Sequence, residues 1–462
     1  MCEFSKKIST SARRYRPLGF SIILFFALHA KGCASSLESK RVRVEEPTNV
    51  MVYRVTLDEK QPATFHVRLL LPKPASQSDR IDLRNISGRN ARRKRILRVR
   101  CNGIPLQIDE RGGWKYPAGC QTLDWTVKAI TVTPSGTDIS KQHALYFEQG
   151  PWWLISGPAM LMRPRDSFSE SSYRAYLEVD LPKGTKILNL QAEENENRFL
   201  LPTLQTRPLF MVAGNPQVIE APEAGLRIRY FMDRGTGFDP ETIMKAHARG
   251  IAYIDSLVEG KSVRPKKNES LDVAWIGVTH LHGIIGGAAG HRILLVNYLS
   301  GTDNDGPAFT RLPLMVLFHE QLHTLFDGLP VWMTESLAQY YAFKTLETTG
   351  LMDEPTREFA YKRFAVRAAG APGLLEVYRD FLQNRSQKLY GLFYTQGSAF
   401  WRAVDLAVTK HSRGKTSLDH ILTELLSLKY HPKGDLPPEF IRTLTKAGGP
   451  EMKSIISDYL GK

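Results

Sequence analysis

The sequence predicts a multidomain α+β protein: an N-terminal β-sandwich-like domain over residues 44–219, a small α/β segment over 220–305 and a mainly helical domain over 306–462. Three observations carry that expectation. The chain has 462 residues, 42% of them hydrophobic, and single cores stop growing at roughly 250–300 residues, so two or three domains are expected. From Val44 to about Ile219, short β-rich runs over 50–57, 64–71, 96–101, 125–132 and 174–181 are separated by clusters of Gly, Pro, Asp and Ser, and several alternate apolar with polar residues. Beyond Gly306, apolar residues recur at helical spacing over 312–326, 331–348, 356–384, 395–411 and 417–427.

The stretch between these regions mixes both periods. Residues 226–232, 271–278 and 293–298 read as strands, and 239–257 as a helix with Pro240 in its first turn, where the missing N–H is an orphan in any case. In the β-rich region the aromatic run Pro151-Trp152-Trp153-Leu154-Ile155 is read as core packing rather than as an exposed contact surface. No internal repeat or low-complexity tract is present.

Residues 1–36 read as an export signal: basic residues through Arg16, an apolar run over 18–30, then Gly32, Cys33, Ala34, Ser35 and Ser36. The apolar run falls short of the roughly 20 residues a membrane helix needs, so cleavage is favoured over anchoring. Ala30-Lys31-Gly32-Cys33 resembles a bacterial lipoprotein box, which leaves membrane association through a lipidated Cys33 open beside simple cleavage; the Arg13-Arg14 pair carries little weight as a twin-arginine signal. The expected location is the periplasm or cell envelope. In such an oxidising compartment Cys101 and Cys120 either form a disulfide or stay as two buried thiols, and no CxxC pattern suggests a cysteine metal site.

Lys and Arg number 62 against 47 Asp and Glu, a formal net charge of +15. That balance would suit an anionic partner such as envelope polymer. Lys6, Lys7, Arg13, Arg14 and Arg16 belong to the export segment, however, and the densest other run, Arg89, Arg92, Arg93, Lys94, Arg95, Arg98 and Arg100, reads as a solvated loop leading into a strand. No specific nucleic-acid partner is expected.

The segment over 314–326 sets His319-Glu320-Gln321-Leu322-His323 inside an apolar helical run. Two His four apart share one helical face, so both imidazoles can reach one zinc ion while Glu320 reaches a water beside it. Pro313 suits the start of this helix, Gly328 its stop and Pro330 the start of the next. Glu335 falls one turn into that second helix, and a helix-turn-helix of this length can fold it back toward the His pair. Two neutral imidazoles and one carboxylate would hold the metal and leave a fourth position open. A first-turn glutamate that merely stabilises its helix dipole, worth about 0.3–1 kcal/mol, is the plainer role for Glu335; beside the His pair, ligation is favoured.

Pro330-x-Trp332-x-x-Glu335-x-x-Ala338-x-Tyr340 after His-Glu-x-x-His resembles the gluzincin metallopeptidases, especially the glycyl aminopeptidase-like family and its peptidase MA relatives. Phe393-Tyr394-Thr395-Gln396-Gly397 is similar to the family's Tyr-Tyr-Thr-Lys-Gly segment, and Arg413-Gly414-Lys415-Thr416-Ser417-Leu418-Asp419 to its Gly-Lys-x-Ser-Leu-Asp turn. The resemblance implies a zincin catalytic domain that hydrolyses peptide bonds with one zinc, acting on peptides or proteins. It implies His319, His323 and Glu335 as metal ligands, Glu320 as general base and later proton donor to the leaving amine, and Tyr394 as a phenol that hydrogen-bonds the oxyanion. A plain core tyrosine is the alternative for Tyr394.

The sequence also departs from the family. Only eleven residues separate His323 from Glu335, a short connection for this clan. Gln339 stands where relatives can carry a carboxylate that orients a ligand His; its amide oxygen can accept that bond, or the side chain can face solvent. Gly286-Gly287-Ala288-Ala289-Gly290-His291 resembles a Gly-Gly-x-Glu-His segment whose Glu anchors the substrate's free amine, and here Gly290 takes that place. Gly287, Gly290 and His291 are expected to line the substrate, with residues 293–298 as a strand edge along its backbone. His280, His282 and His291 are read as loop and cleft residues rather than a second metal site. The expectation is an exported zinc metallopeptidase, an endopeptidase rather than a strict aminopeptidase; the alternative is a catalytically inactive zincin-like envelope binding protein. The sequence does not set the oligomeric state.

Overall fold

The computed structural model describes residues 50–83, 89–110, 112–132, 139, 142–148, 150–165, 173–189, 198–201, 208–221, 227–232, 240–261, 263, 270–278, 286–299, 307–384, 388–431 and 435–461. The export-type segment with Cys33, and His280 and His282, lie outside these residues.

The N-terminal region contains β1 (Val50–Leu57), β2 (Thr64–Leu70), β3 (Asp79–Asp82), β4 (Ile96–Cys101), β5 (Ile104–Pro105), β6 (Trp114–Tyr116) and β7 (Thr122–Lys128). It continues with β8 (Ile130–Thr131), β9 (Leu145–Phe147), β10 (Trp152–Ser156), β11 (Arg163–Pro164), β12 (Arg174–Asp180), β13 (Arg198–Leu200) and β14 (Phe210–Gly214). Two short helices, α1 (Arg89–Arg93) and α2 (Gly157–Met160), interrupt them. The strands form sheets of order β13-β12-β1-β2-β7-β4-β5, β14-β10-β9-β8 and β11-β3-β6.

Along β2, Phe65, Val67 and Leu69 are buried while His66 and Arg68 face outward, the two-residue period of a sheet with one wet face. Val55, Phe65 and Trp125 of the first sheet share one apolar cluster with Ile81 and Trp114 of the third and Trp153 and Met211 of the second, which is sandwich packing. The single strand expected over 125–132 is instead β7 and β8, because the chain leaves the first sheet at Ala129 and enters the second. Cys101 and Cys120 are joined, and closing a loop of this length contributes about 3 kcal/mol in the chain-entropy account. Trp152 is fully buried against Phe147, and Trp153 Nε1 donates to Pro62 O at 2.7 Å, so the aromatic run is core. The basic run divides: Arg92 is buried, Arg93 Nη2 donates to both Asp82 oxygens at 3.1 and 2.9 Å, and Arg98 and Arg100 stay exposed.

A five-stranded sheet follows, built from β15 (Gln217–Ala221), β16 (Ile228–Met232), β17 (Leu271–Val278), β18 (Gly287–Ala289) and β19 (Ile293–Leu299), with α3 (Pro240–Ser256) between β16 and β17. Its order is β15-β16-β17-β19-β18, with the central three strands parallel and both outer strands antiparallel. β15 straddles the 219/220 junction and pairs along its length with β16. Trp152, Leu154, Phe210 and Val212 of the sandwich share an apolar cluster with Phe231, Ala274, Ile276, Ile293 and Leu295 of this sheet. One correction concerns the substrate-lining edge. β19 is hydrogen-bonded on both sides, so among the described strands the outer position belongs to β18.

The remainder is helical: α4 (Pro307–Phe326), α5 (Val331–Thr348), α6 (Glu354–Phe364), α7 (Leu374–Asn384), α8 (Gly391–His411), α9 (Leu418–Ser427), α10 (Pro438–Gly448) and α11 (Met452–Leu460). α4 begins at Pro307 and keeps Pro313 inside it, so Pro313 is not its start. The continuous run expected over 356–384 is two helices, since Pro372 cannot sit in a helix interior and Gly373 packs against the backbone of Leu460 and Gly461. Close approach also explains Gly397: a Cβ there would lie 2.4 Å from Ser336 Cβ, so α8 can press on α5 only with glycine at that position. Trp401 Nε1 then donates to Ser336 Oγ at 2.8 Å. Among the described residues no helix is long and apolar enough to cross a membrane.

Candidate metal centre

Leu314, Val316, Leu317, Phe318, Leu322, Leu325 and Phe326 of α4 are all buried, so the helix is clamped in the core and its three polar motif residues have fixed positions. At its end Gly328 takes a left-handed backbone (φ 90°) and Pro330 precedes the first residue of α5. Buried Trp332, Met333 and Leu337 set the rotation of α5. Glu335 consequently points at the His pair, and the short connection does not hold it away.

His319 Nε2 lies 3.2 Å from His323 Nε2 and 3.3 Å from Glu335 Oε2, and His323 Nε2 lies 3.6 Å from that same oxygen. Zinc bonds of about 2.0–2.1 Å in a tetrahedron would separate the ligand atoms by roughly 3.3–3.4 Å. Glu335 Oε2 is buried with no hydrogen-bond partner among the described residues, although a buried carboxylate oxygen ordinarily has one. Donor set, spacing and the bare oxygen all suit one zinc. Among the described residues this is the one such cluster of His, Cys, Asp and Glu, and His291 is no part of it.

The electrostatics follow from the crowding. Burial alone would raise the Glu335 pKa, yet the two imidazoles and the Tyr390 hydrogen bond hold it down at about 2. Burial opposes a charged His319, but Glu335 and Glu320 outweigh it and raise that pKa. Gln339 also raises it; the side chain is buried, with Nε2 3.4 Å from Met315 Sδ, rather than solvent-facing. Tyr394 stacks obliquely beside His319, with ring centroids 5.6 Å apart. Burial, followed by Glu335, the neighbouring Tyr390 and Glu320, pushes its pKa well above the ordinary value.

Glu320 is 8% exposed. It lies against edge strand β18, where a Cβ at Gly287 would meet its Cγ at 2.6 Å. Gly290 and His291 belong instead to the turn between β18 and β19. A Cβ at Gly290 would lie 2.4 Å from Phe210 Cδ2, and His291 N donates to Pro208 O at 2.8 Å. At about 3.3 Å of rise per residue, that turn is roughly 10 Å along the strand from Gly287.

Two features were not anticipated from sequence. Tyr390 OH donates to Glu335 Oε1 at 2.8 Å; its spacing of four from Tyr394 places both on one helical face and could have signalled it. Behind α4, Tyr230 OH lies 2.9 Å from His247 Nδ1, and His247 Nε2 lies 2.9 Å from Gln321 Oε1. With the Gln321 oxygen as acceptor, His247 carries its proton on Nε2 and accepts from Tyr230 on Nδ1.

A paired-histidine helix, a carboxylate from the next helix and a tyrosine from a third thus converge on one edge of a mixed sheet, the framework of a zincin-like fold. No protein-family model matches this sequence, and no curated protein matches it. Solved structures do. An aminopeptidase N family protein from Idiomarina loihiensis superposes with a TM-score of 0.67 at 16% identity, over 89% of this chain and 76% of that one. Aminopeptidase A from Legionella pneumophila, in complex with aspartic acid, superposes with a TM-score of 0.50 at 15% identity, over 89% of this chain and 49% of that one. The fold is that of the aminopeptidase N family, and this chain spans about half the length of the Legionella protein.

Proposed function

We propose that this chain is a zinc-dependent peptidase acting on peptides or proteins, and an endopeptidase rather than a strict aminopeptidase. The observation that carries the reading is the set of donor-atom separations of 3.2, 3.3 and 3.6 Å among His319, His323 and Glu335. When bound there, zinc supplies Lewis acidity toward the scissile carbonyl and the attacking water. Glu320, on the same helix and outside the ligand trio, takes the proton from that water and returns it to the leaving amine. Tyr394, whose ring lies beside His319, donates a hydrogen bond from its phenol to the oxyanion. Gln339, buried near His319, would steady it by turning its amide oxygen to Nδ1, which has no hydrogen-bond partner among the described residues.

The endopeptidase preference rests on the sequence, in which Gly290 replaces the amine-anchoring glutamate of the resembled segment, although residue 290 itself sits in the β18–β19 turn rather than against Glu320. Glycine offers no carboxylate for a terminal ammonium, and Phe210 occupies the space any side chain there would enter. Substrate would instead run along β18, the outermost strand of this sheet among the described residues. Export to the periplasm or envelope is supported by the basic, apolar and small-residue pattern over 1–36 and by the Cys101–Cys120 disulfide, which suits an oxidising compartment. The mass of the mature N-terminus decides whether Cys33 carries lipid.

The deciding experiment measures zinc content of the purified protein beside Glu335→Gln, with hydrolysis of a peptide library holding free and blocked N-termini. About one zinc per chain, weakened in the variant, with internal bonds cut in both classes of peptide is the expected result. Cleavage confined to free-amine peptides would overturn the endopeptidase preference. No zinc and no turnover in zinc-replete buffer would leave a non-catalytic envelope binding protein with a zincin shell.

A further inference from the structure

We propose that Tyr390 is a positioning residue of the metal site, whose phenol fixes the Glu335 carboxylate so that Oε2 alone faces the two histidines. The proposal rests on the zinc-peptidase reading above and concerns a residue which that reading does not require. A glutamate carboxylate has two equivalent oxygens, and its terminal torsion is soft, so an unrestrained side chain can offer a metal either oxygen or both. Here the equivalence is broken. Oε1 accepts the Tyr390 hydrogen bond at 2.8 Å, whereas Oε2 is buried without a hydrogen-bond partner among the described residues and lies 3.3 and 3.6 Å from the histidine nitrogens. One oxygen is occupied by a donor and the other is left bare.

The phenol is itself held. Its ring packs against Phe381, Phe393 and Tyr394, with centroids 5.5, 5.2 and 5.9 Å away. Tyr390 immediately precedes α8, and α8 is pressed on α5 at Gly397 and Ser336, so the reach from phenol to carboxylate is set by a helix–helix contact rather than by a loop. A glutamate held to one oxygen spends a single coordination position. The remaining position stays open for water and substrate; a chelating carboxylate would crowd it. Partners that orient a ligand in this way typically change metal affinity by 10- to 100-fold when removed.

The test is Tyr390→Phe, which keeps the ring and deletes only the hydroxyl. Zinc affinity is measured by competition with a chromogenic chelator, and the visible absorption of the Co2+-loaded protein reports coordination number, because four-coordinate Co2+ absorbs more strongly than five-coordinate. The expected result is a zinc dissociation constant raised about 10- to 100-fold, weaker Co2+ absorption as Glu335 becomes free to chelate, and a metal-free protein that still melts cooperatively, at a temperature lowered only by the loss of one buried hydrogen bond. Wild-type and variant proteins with equal affinity and the same Co2+ spectrum would overturn the role of Tyr390 and leave the peptidase reading standing. A wild-type protein that binds neither metal would overturn both.

Discussion

Gly287 and Glu320 are fitted to each other: a Cβ at residue 287 would stand 2.6 Å from Glu320 Cγ, 2.7 Å from its Oε1 and 2.7 Å from Val316 Cγ1. Val316 is buried on α4 and has little room to retreat, so an added methyl group must displace the Glu320 side chain or the edge strand. Gly287→Ala is therefore expected to lower turnover on the order of 100-fold, the scale of loss that accompanies a misplacement of about 1 Å. Zinc content should be largely retained, because the nearest atoms an added Cβ would meet belong to Glu320 and Val316 and not to a ligand. A variant with wild-type turnover would show that the Glu320 position does not govern the reaction.

His247 gives a prediction about pH and stability. It is fully buried, and burial drives its pKa from 6.5 down to about 4. A histidine whose folded pKa lies below its unfolded value opposes folding when it takes a proton. Its neutral form therefore supports full stability above about pH 6.5, stability falls between 6.5 and 4, and the loss levels off below 4. The shift corresponds to roughly 3 kcal/mol. Urea unfolding of the metal-free protein and of His247→Gln across this range should show the wild type losing about that much more. Parallel curves would contradict a buried neutral imidazole.

How far the sequence foretold this molecule depends on the range of the interactions involved. His319, Glu320 and His323 were legible because they are local: one helical face, one motif, apolar neighbours at helical spacing. The inward turn of Glu335 was legible from the two-helix pattern, while its spacing to the histidines came from the packing of Trp332, Met333 and Leu337. Tyr390 was hidden because its partner is 55 residues away in the chain, and its spacing of four from Tyr394 was the one local sign of the contact. β10 was hidden for another reason. All five of its residues are buried, so it lacks the alternation that marked β2 as a strand. The closed position at Gly290 likewise required Phe210, a residue of a different sheet.

The α5–α8 contact can be tested without reference to activity. A Cβ at Gly397 would overlap Ser336 Cβ at 2.4 Å and touch its Cα at 3.4 Å. Gly397→Ala should cost about 1–3 kcal/mol, the usual range for overpacking. In combination with Ser336→Gly, which removes the opposing Cβ, the penalty should be partly relieved despite loss of the Trp401 hydrogen bond. Denaturant unfolding of both single variants and the double variant measures the coupling; strictly additive losses would mean that the two positions do not touch.

The same helices are tied below the metal centre by a mostly buried charge cluster. Lys344 of α5 lies 2.7 Å from Asp405 of α8 and 2.7 Å from Asp419 of α9. Tyr340 donates to Asp405, while Tyr341 and Tyr253 donate to Asp419 at 3.0 and 3.1 Å, so each carboxylate is already well hydrogen-bonded. Two anions sharing one cation make its removal costly. Lys344→Met would preserve most of the volume but leave both carboxylates partly buried without their counter-charge, and a loss of about 3–5 kcal/mol is expected from such one-sided removal. Adding Asp405→Asn should recover part of it, because the double variant no longer holds two uncompensated anions. Urea unfolding reads both steps. A single variant as stable as the wild type would mean that solvent screens the cluster, and that the apolar contacts of α5, α8 and α9 alone keep Glu335 and Tyr390 within reach of each other.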